Sequence, residues 1–243
     1  MTEARAHALS TNSSVAILAA MVPELRPIVK RLGLSPIMIG DLRAHEGEVE
    51  GRRVVAAVTS IGTGAARAAT TRVLDHGAVD HVVITGICGA IDPGLTIGAL
   101  IVPTETMIEA DGRTGRPVTL GSHQPAGRLL TTDTLHTDPA TVAGLHAEGF
   151  VAVDMESGAI GAVCDDRGVA WSVFRAVSDR AGDPDVDLEL LSMSTADGTP
   201  DPKAIARYLA RHPHKVPKLA TLGKGMRVAV AASTTATLAE LAT

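Results

Sequence analysis

The chain has 243 residues, 45% of them apolar and 20% charged, with a net charge of −5 and 2% aromatic residues. Such a composition rules out intrinsic disorder, and the acidic balance with few rings argues against a protein that holds nucleic acid or an anionic membrane surface by charge and stacking. Two cysteines, Cys88 and Cys164, make no disulfide framework and read as free thiols of a reducing compartment.

Residues 1–13 read as a flexible tail, and residues 14–243 as one domain. The apolar run at 15–22 imitates the core of a signal peptide. Glu3, the polar stretch 11–14 and the helix-like start at Pro23 argue against that reading, so a cytoplasmic location is expected. No segment reaches the roughly 18 apolar residues that a membrane helix needs. Residues 15–21 predict a first strand, and 23–32 a helix with Pro23 in its first turn and Gly33 as its stop. Residues 43–58 predict an antiparallel excursion turning near Gly51, with a strand at 53–59. An Ala-rich helix is predicted over 63–76, ended by a left-handed Gly77. Further Val- and Ile-rich strands fall at 81–85, 99–103, 151–154 and 172–177, and a helix at 156–167 stops at Gly168. Continuous rather than alternating apolarity marks strands covered on both faces. The alternation of strands and helices therefore predicts an α/β layer fold with a mainly parallel sheet. Residues 180–202 carry loop chemistry, either a lid or a solvated connection, and the rest reads as helix interrupted by Pro213 and Pro217.

Ligands of open parallel sheets bind at the carboxyl ends of strands. Glu24, Glu156 and Asp179 each stand just past a predicted strand end. Each alone could serve only a helix dipole; three such ends in one sheet can converge on a crevice. Gly62-Thr63-Gly64 before a helix is either a phosphate cradle or a tight reversal. In 85–90, two glycines after a buried strand let backbone approach a flat ligand, or simply form a crowded turn. Cys88 has no histidine pattern to activate it as a nucleophile. His212-Pro213-His214 reads as surface loop, and no metal or organic cofactor is expected.

Five pieces occur in order: 17–25 (Ile-Leu-Ala-Ala-Met-Val-Pro-Glu-Leu), 60–64 (Ser-Ile-Gly-Thr-Gly), 85–90 (Thr-Gly-Ile-Cys-Gly-Ala), 153–157 (Val-Asp-Met-Glu-Ser) and 175–179 (Arg-Ala-Val-Ser-Asp). Together they resemble the nucleoside phosphorylase and nucleosidase superfamily, most closely the methylthioadenosine/S-adenosylhomocysteine nucleosidases. The resemblance spans about residues 15–180. It implies a three-layer α/β/α fold around a twisted mixed, mainly parallel sheet, and cleavage of the ribose–base bond of a purine nucleoside. Carried over position by position, Glu24 matches the acid that activates water, and Met155 and Glu156 the pair that holds the ribose. Asp179 matches the acid that protonates the purine at N7, with Ser178 and Arg175 beside it. Ile87, Cys88, Gly89 and Val153 fall against the substrate in the same motifs. Glu24, Arg175 and Asp179 are thus the expected catalytic set.

Bond cleavage builds positive charge on the sugar and negative charge on the base, so Asp179 is expected protonated, and Glu24 and Glu156 ionised. Ile87 stands where the nucleosidases have serine, and Ile84 and Ile87 stand where hexameric phosphorylases carry an arginine and a serine for phosphate. Arg26 falls near another phosphate-binding arginine of that group, so Arg26, Gly62 and Thr63 are candidate phosphate contacts. Water is the preferred acceptor; a phosphorylase using phosphate, and a nucleoside-binding protein without catalysis, remain alternatives. Residues 86–93, 197–200 and 214–219 resemble more finely a hopanoid-associated phosphorylase-like subgroup, which is linked to release of adenine from adenosylhopane. A lipid at the 5′ position would need an apolar mouth, for which Leu188, Leu190, Leu191 and Met193 are candidates, or they form a packed loop. Relatives' habits and the Ala-rich helices imply a homodimer.

Overall fold

The computed structural model describes residues 8–10, 12–182 and 216–242, with 203, 207, 211 and 212 between them. Leu188, Leu190, Leu191, Met193, Pro213 and His214 lie outside the described residues. Eleven strands form one mixed sheet: β1 (Ser14–Ala19), β2 (Ser35–Ile39), β3 (Leu42–Val49), β4 (Arg52–Val58), β5 (His81–Ala90), β6 (Leu100–Ile101), β7 (Glu105–Ile108), β8 (Thr114–Gly115), β9 (Arg128–Thr131), β10 (Phe150–Asp154) and β11 (Ala170–Arg180). The described helices are α1 (Val22–Leu32), α2 (Thr63–His76), α3 (Pro139–Ala147), α4 (Ser157–Arg167) and α5 (Val216–Leu241).

The main path runs β2-β3-β4-β1-β5-β10-β9-β7-β8, and β11 pairs with β5 and β6. β1 is central, parallel to β4 on one side and β5 on the other. Its alternate side chains explain the three layers. Val15, Ile17 and Ala19 join one core with Leu25 and Ile28 of α1 and Ala236 and Leu241 of α5. Ala16 and Leu18 join the opposite core with Ala66 and Val73 of α2 and Ala159, Ile160 and Cys164 of α4. A strand that feeds both cores has no polar face to show, hence its unbroken apolar run.

The antiparallel excursion is the β3–β4 hairpin, whose two-residue turn places Glu50 and Gly51 at φ 50° and 75°. β2 adds a further antiparallel strand that propensity did not mark, since Pro36 and an exposed face disguise it. Gly33 and Gly168 end α1 and α4 in the left-handed region, as expected. Gly77 does not; its φ of 174° is extended backbone. Pro217 falls in the first turn of α5, where its missing N–H breaks no intrahelical bond, so the helix runs uninterrupted. Of the segment expected to be a tail, Leu9 is buried, and Arg52 gathers the carbonyls of Leu9, Ser10 and Leu241 at 2.9–3.1 Å.

Two strands reach further than expected, and both extensions shape the site. β5 continues past Thr85 to Ala90, so 85–90 is strand rather than turn. The β10 strand pairs antiparallel with its far end through Ala152–Ala90 and Val153–Gly89, while β11 runs parallel along its other edge. β11 continues to Arg180 through a bulge between Val177 and Asp179, so Asp179 lies within a strand rather than past its end. The predicted strand 99–103 shrinks to Leu100–Ile101.

Candidate active site

A cavity of about 890 Å³, counting its open mouth, lies where β1, β5, β10 and β11 deliver their carboxyl-side residues. Glu24, Ile87, Cys88, Gly89, Val153, Met155, Glu156, Arg175, Ser178 and Asp179 all line it. Residues separated by more than 150 positions in the sequence thus meet around one space.

Arg175 is the electrostatic centre. It projects from β11, is 1% exposed, and has acids from three elements around it. Its Nε is 2.9 Å from Oδ2 of Asp154, its Nη2 is 3.1 Å from Oε2 of Glu156, and its Nη1 is 3.8 Å from Oε1 of Glu24. The guanidinium also donates to the Ser157 hydroxyl at 3.1 Å and the Ile87 carbonyl at 3.3 Å. A planar fork of donors suits this role, which a lysine ammonium would not fill.

Glu24 sits in the first turn of α1, and its two oxygens accept from different elements. The Met21 amide donates to Oε2 and the Ile87 amide to Oε1, each at 2.8 Å. The first bond is the dipole-favouring cap that any acid there could make; the second ties the carboxylate to β5 and the cavity. Gly86 makes room for this. Its φ is +145°, and a Cβ there would lie 2.6 Å from Nη1 of Arg175 and 2.8 Å from the Glu24 carboxyl carbon. The glycine is needed for side chains of the protein itself to pass, rather than for a turn.

Glu156 precedes α4 and accepts from the Gly62 amide at 3.0 Å as well as from Arg175. Burial raises the pKa of both glutamates, against the pull of Arg175, and pushes Glu156 up to about 7. The expectation of fully ionised Glu24 and Glu156 is therefore modified: in the empty cavity both hold protons more tightly than ordinary carboxylates. Positive charge arriving beside them would reverse that shift.

At the other end, the bulge breaks the alternation of β11, and the neighbours Ser178 and Asp179 both reach the cavity. The Ser178 hydroxyl contacts Oδ1 of Asp179 and donates to the Cys88 carbonyl at 3.3 Å. Oδ2 of Asp179 would be 3.5 Å from a Cβ on Gly89, so the second glycine of the 85–90 segment faces the aspartate and Val153. The Cys88 thiol lines the cavity, but burial drives its pKa well up, which keeps it protonated and poorly nucleophilic.

The candidate phosphate contacts stand apart. Arg26 is exposed on α1. Two helical steps from Glu24 turn its side chain about 200° away from that residue. Gly62 and Thr63 open α2, but their amides are already taken: Gly62 by Glu156, and Thr63 by Oδ1 of Asp133 at 2.8 Å. Ile84 is fully buried in the core. Sequence reasoning missed Asp154, which orients Arg175 while accepting from Thr131 Oγ1 at 2.7 Å. It also missed the cavity wall formed by Thr132, Thr134, Leu135, His136 and Thr137, a connection with no glycine or charge pattern to mark it. Among the described residues, no group of histidine, cysteine and acidic side chains could hold a metal ion, and no helix is long and apolar enough to cross a membrane.

The model of the phosphorylase superfamily matches residues 14–126 and 119–209. The chain is 28% identical to a 5′-methylthioadenosine/S-adenosylhomocysteine nucleosidase of Shewanella oneidensis, in an alignment that covers 72% of this chain and 88% of the relative. It is 31% identical to the nucleosidase of that name from Actinobacillus succinogenes, in an alignment that covers 62% of this chain and 77% of the relative. Among solved structures, a Helicobacter pylori MTAN mutant with 5′-methylthioadenosine in its active site superimposes with a TM-score of 0.71 at 19% identity, covering 96% of this chain and 99% of that one. That likeness establishes a shared fold.

Proposed function

The chain belongs to the phosphorylase superfamily, and from that premise we propose that it is a purine nucleosidase that releases adenine from a nucleoside modified at the 5′ position. One observation carries the reading: Glu24, Glu156 and Asp179, far apart in sequence, line one cavity around a buried arginine. The names of the relatives, nucleosidases acting on 5′-methylthioadenosine and S-adenosylhomocysteine, support it.

In this reading the ribose lies on Met155 with its hydroxyls donating to Glu156, and the base lies toward Ser178 and Asp179. As the bond from C1′ to the base lengthens, positive charge on the sugar meets the carboxylates of Glu156 and Glu24. Asp179 gives its proton to the departing purine. Water adds to C1′ and loses a proton to Glu24. A base whose pKa burial has raised holds such a proton better than an ordinary glutamate does. Arg175 keeps the two glutamates apart and oriented.

Water is favoured over phosphate as the acceptor because the α2 amides already serve carboxylates, Arg26 faces outward and Ile84 is core. The resemblance to the hopanoid-associated subgroup makes a lipid the proposed 5′ substituent. The purified chain should be incubated with 5′-methylthioadenosine, adenosine and a lipid-substituted adenosine, with and without phosphate, with base and sugar products separated by chromatography. Free adenine and unphosphorylated sugar at equal rates in both buffers are expected, fastest from the lipid-substituted substrate. Release that requires phosphate and yields a sugar 1-phosphate would select the phosphorylase instead. Tight binding of all three without base release would overturn the enzymatic reading.

A further inference from the structure

The ribose-side carboxylate Glu156 depends on a residue that does not touch it. The Gly62 amide that donates to Glu156 Oε1 at 3.0 Å belongs to the residue just before α2. The adjacent Thr63 is held from outside its own helix: its amide donates to Oδ1 of Asp133 at 2.8 Å, and its hydroxyl to Oδ2 at 2.5 Å. Asp133 thus supplies in trans the cap that a serine or aspartate usually supplies from within the chain just before a helix. Gly62 itself, at φ +100°, offers no side-chain cap, and a Cβ there would lie 3.2 Å from Oδ1 of Asp133. The aspartate therefore lies directly over the peptide whose amide meets Glu156. It also belongs to the connection that walls the cavity, between lining residues Thr132 and Thr134.

We propose that Asp133 is a positioning residue: by gripping Thr63 from the cavity wall, it fixes the first turn of α2 so that the Gly62 amide points at Glu156. This rests on the reading of Glu156 as the ribose-binding acid. The chemistry follows from the charges around that acid. Arg175 of β11, Asp154 of β10 and Glu24 of α1 all act on Glu156, the first favouring its ionised form and the two acids opposing it. The Gly62 amide is the neutral donor on the ionising side. Loss of its alignment raises the pKa of Glu156, so the acid limb of the activity profile moves to higher pH.

The test compares Asp133→Ala with Asp133→Asn, which keeps a carbonyl acceptor for the Thr63 amide. With 5′-methylthioadenosine, Asp133→Ala should raise KM and lower kcat/KM by about one to two orders of magnitude, the loss expected for one hydrogen bond to a charged group. The pH at which kcat/KM falls to half on the acid side should rise, and Asp133→Asn should restore most of both. A merely structural aspartate would lower the thermal midpoint and leave the acid limb where it is, which would overturn the proposal. Amide hydrogen exchange at Gly62 and Thr63 gives a second measurement that needs no turnover. Faster exchange at both positions in Asp133→Ala, with Asp133→Asn near the parent, is expected. Unchanged protection at Gly62 would overturn the positioning role whatever reaction the protein catalyses. Faster exchange without base release in the parent protein would overturn the nucleosidase reading alone.

Discussion

Replacing Arg175 by methionine tests whether the acids of the cavity are held by one buried counter-charge. The side chain is 1% exposed and approaches Asp154, Glu156 and Glu24 at 2.9, 3.1 and 3.8 Å. Methionine fills a similar volume but leaves three buried acids facing one another. Removing one partner of a buried pair costs about 3–5 kcal/mol. A chain of this size loses roughly 2–4 °C of melting temperature per kcal/mol, so a drop of about 10 °C is expected at pH 8. The pH dependence is the sharper part. Burial pushes the pKa of Glu156 up to about 7, above its ordinary value of 4.5, so the folded state binds more protons than the unfolded one through that window. Its contribution therefore falls as pH rises from 4.5 to 7, and acidification relieves the cost. Without the guanidinium the folded pKa climbs further, and the window widens upward. Thermal unfolding followed by circular dichroism at pH 5.5, 7 and 8.5 should show a deficit that shrinks as the solution is acidified. An equal deficit at pH 5.5 and 8.5, or one below about 1 kcal/mol at pH 8.5, would refute the picture of a shared counter-charge.

Asp179→Asn should lower kcat on 5′-methylthioadenosine by about 10² to 10⁴ with little change in substrate affinity, because the amide keeps a donor but has no proton to give up. A riboside with a nitrophenolate leaving group, which needs no proton, should be far less affected; equal losses on both substrates would remove the proton-donor role. Glu24→Gln must turn its amide nitrogen toward either the Met21 or the Ile87 amide, so one of the two 2.8 Å bonds is lost. Turnover should fall by a comparable 10² to 10⁴, while relief of a buried charge keeps the melting temperature within a few degrees of the parent; unchanged turnover in a single-turnover assay would exclude it as the base. Gly86→Ala should cost about 1–3 kcal/mol through overpacking against Glu24 and Arg175. Its activity should fall with it, and a variant as stable and active as the parent in denaturant titration and base release would show that the cluster can give way.

The parts of the fold that could be read from the sequence are those in which one local pattern decides. β1 and β4 announce themselves because burial on both faces leaves no room for polar alternation, and Glu50-Gly51 marks the hairpin because its turn needs left-handed backbone. The short strands β7, β8 and β9 have no such signature; their pairing, rather than their composition, makes them strands. The end of β11 is hidden in the sequence for a related reason. A polar Ser-Asp-Arg run looks like the start of a loop, but pairing with Gly89 and Ala90 carries the strand through it. Ordered motifs single out Glu24, Glu156 and Asp179, which the fold brings to one cavity. They did not give Asp154 and Asp133, since each acts on a partner more than 20 positions away, and nothing local distinguishes either from a surface acid.

The arrangement of charge also bears on which reaction the cavity suits. Three acids surround one guanidinium whose donors are already directed at them and at Ser157 and Ile87. An incoming phosphate would meet carboxylates first, around a guanidinium that already serves three of them. A sugar that becomes cationic as its base departs meets the reverse situation. Its charge opposes the burial that raises the pKa values of Glu24 and Glu156, so both ionise more readily as the barrier is climbed. An interaction that strengthens only as charge develops lowers the barrier without binding the ground state equally well. Burial that makes these carboxylates costly in the empty protein is, on this account, the source of their preference for the transition state, and a neutral water is the acceptor that leaves that preference intact.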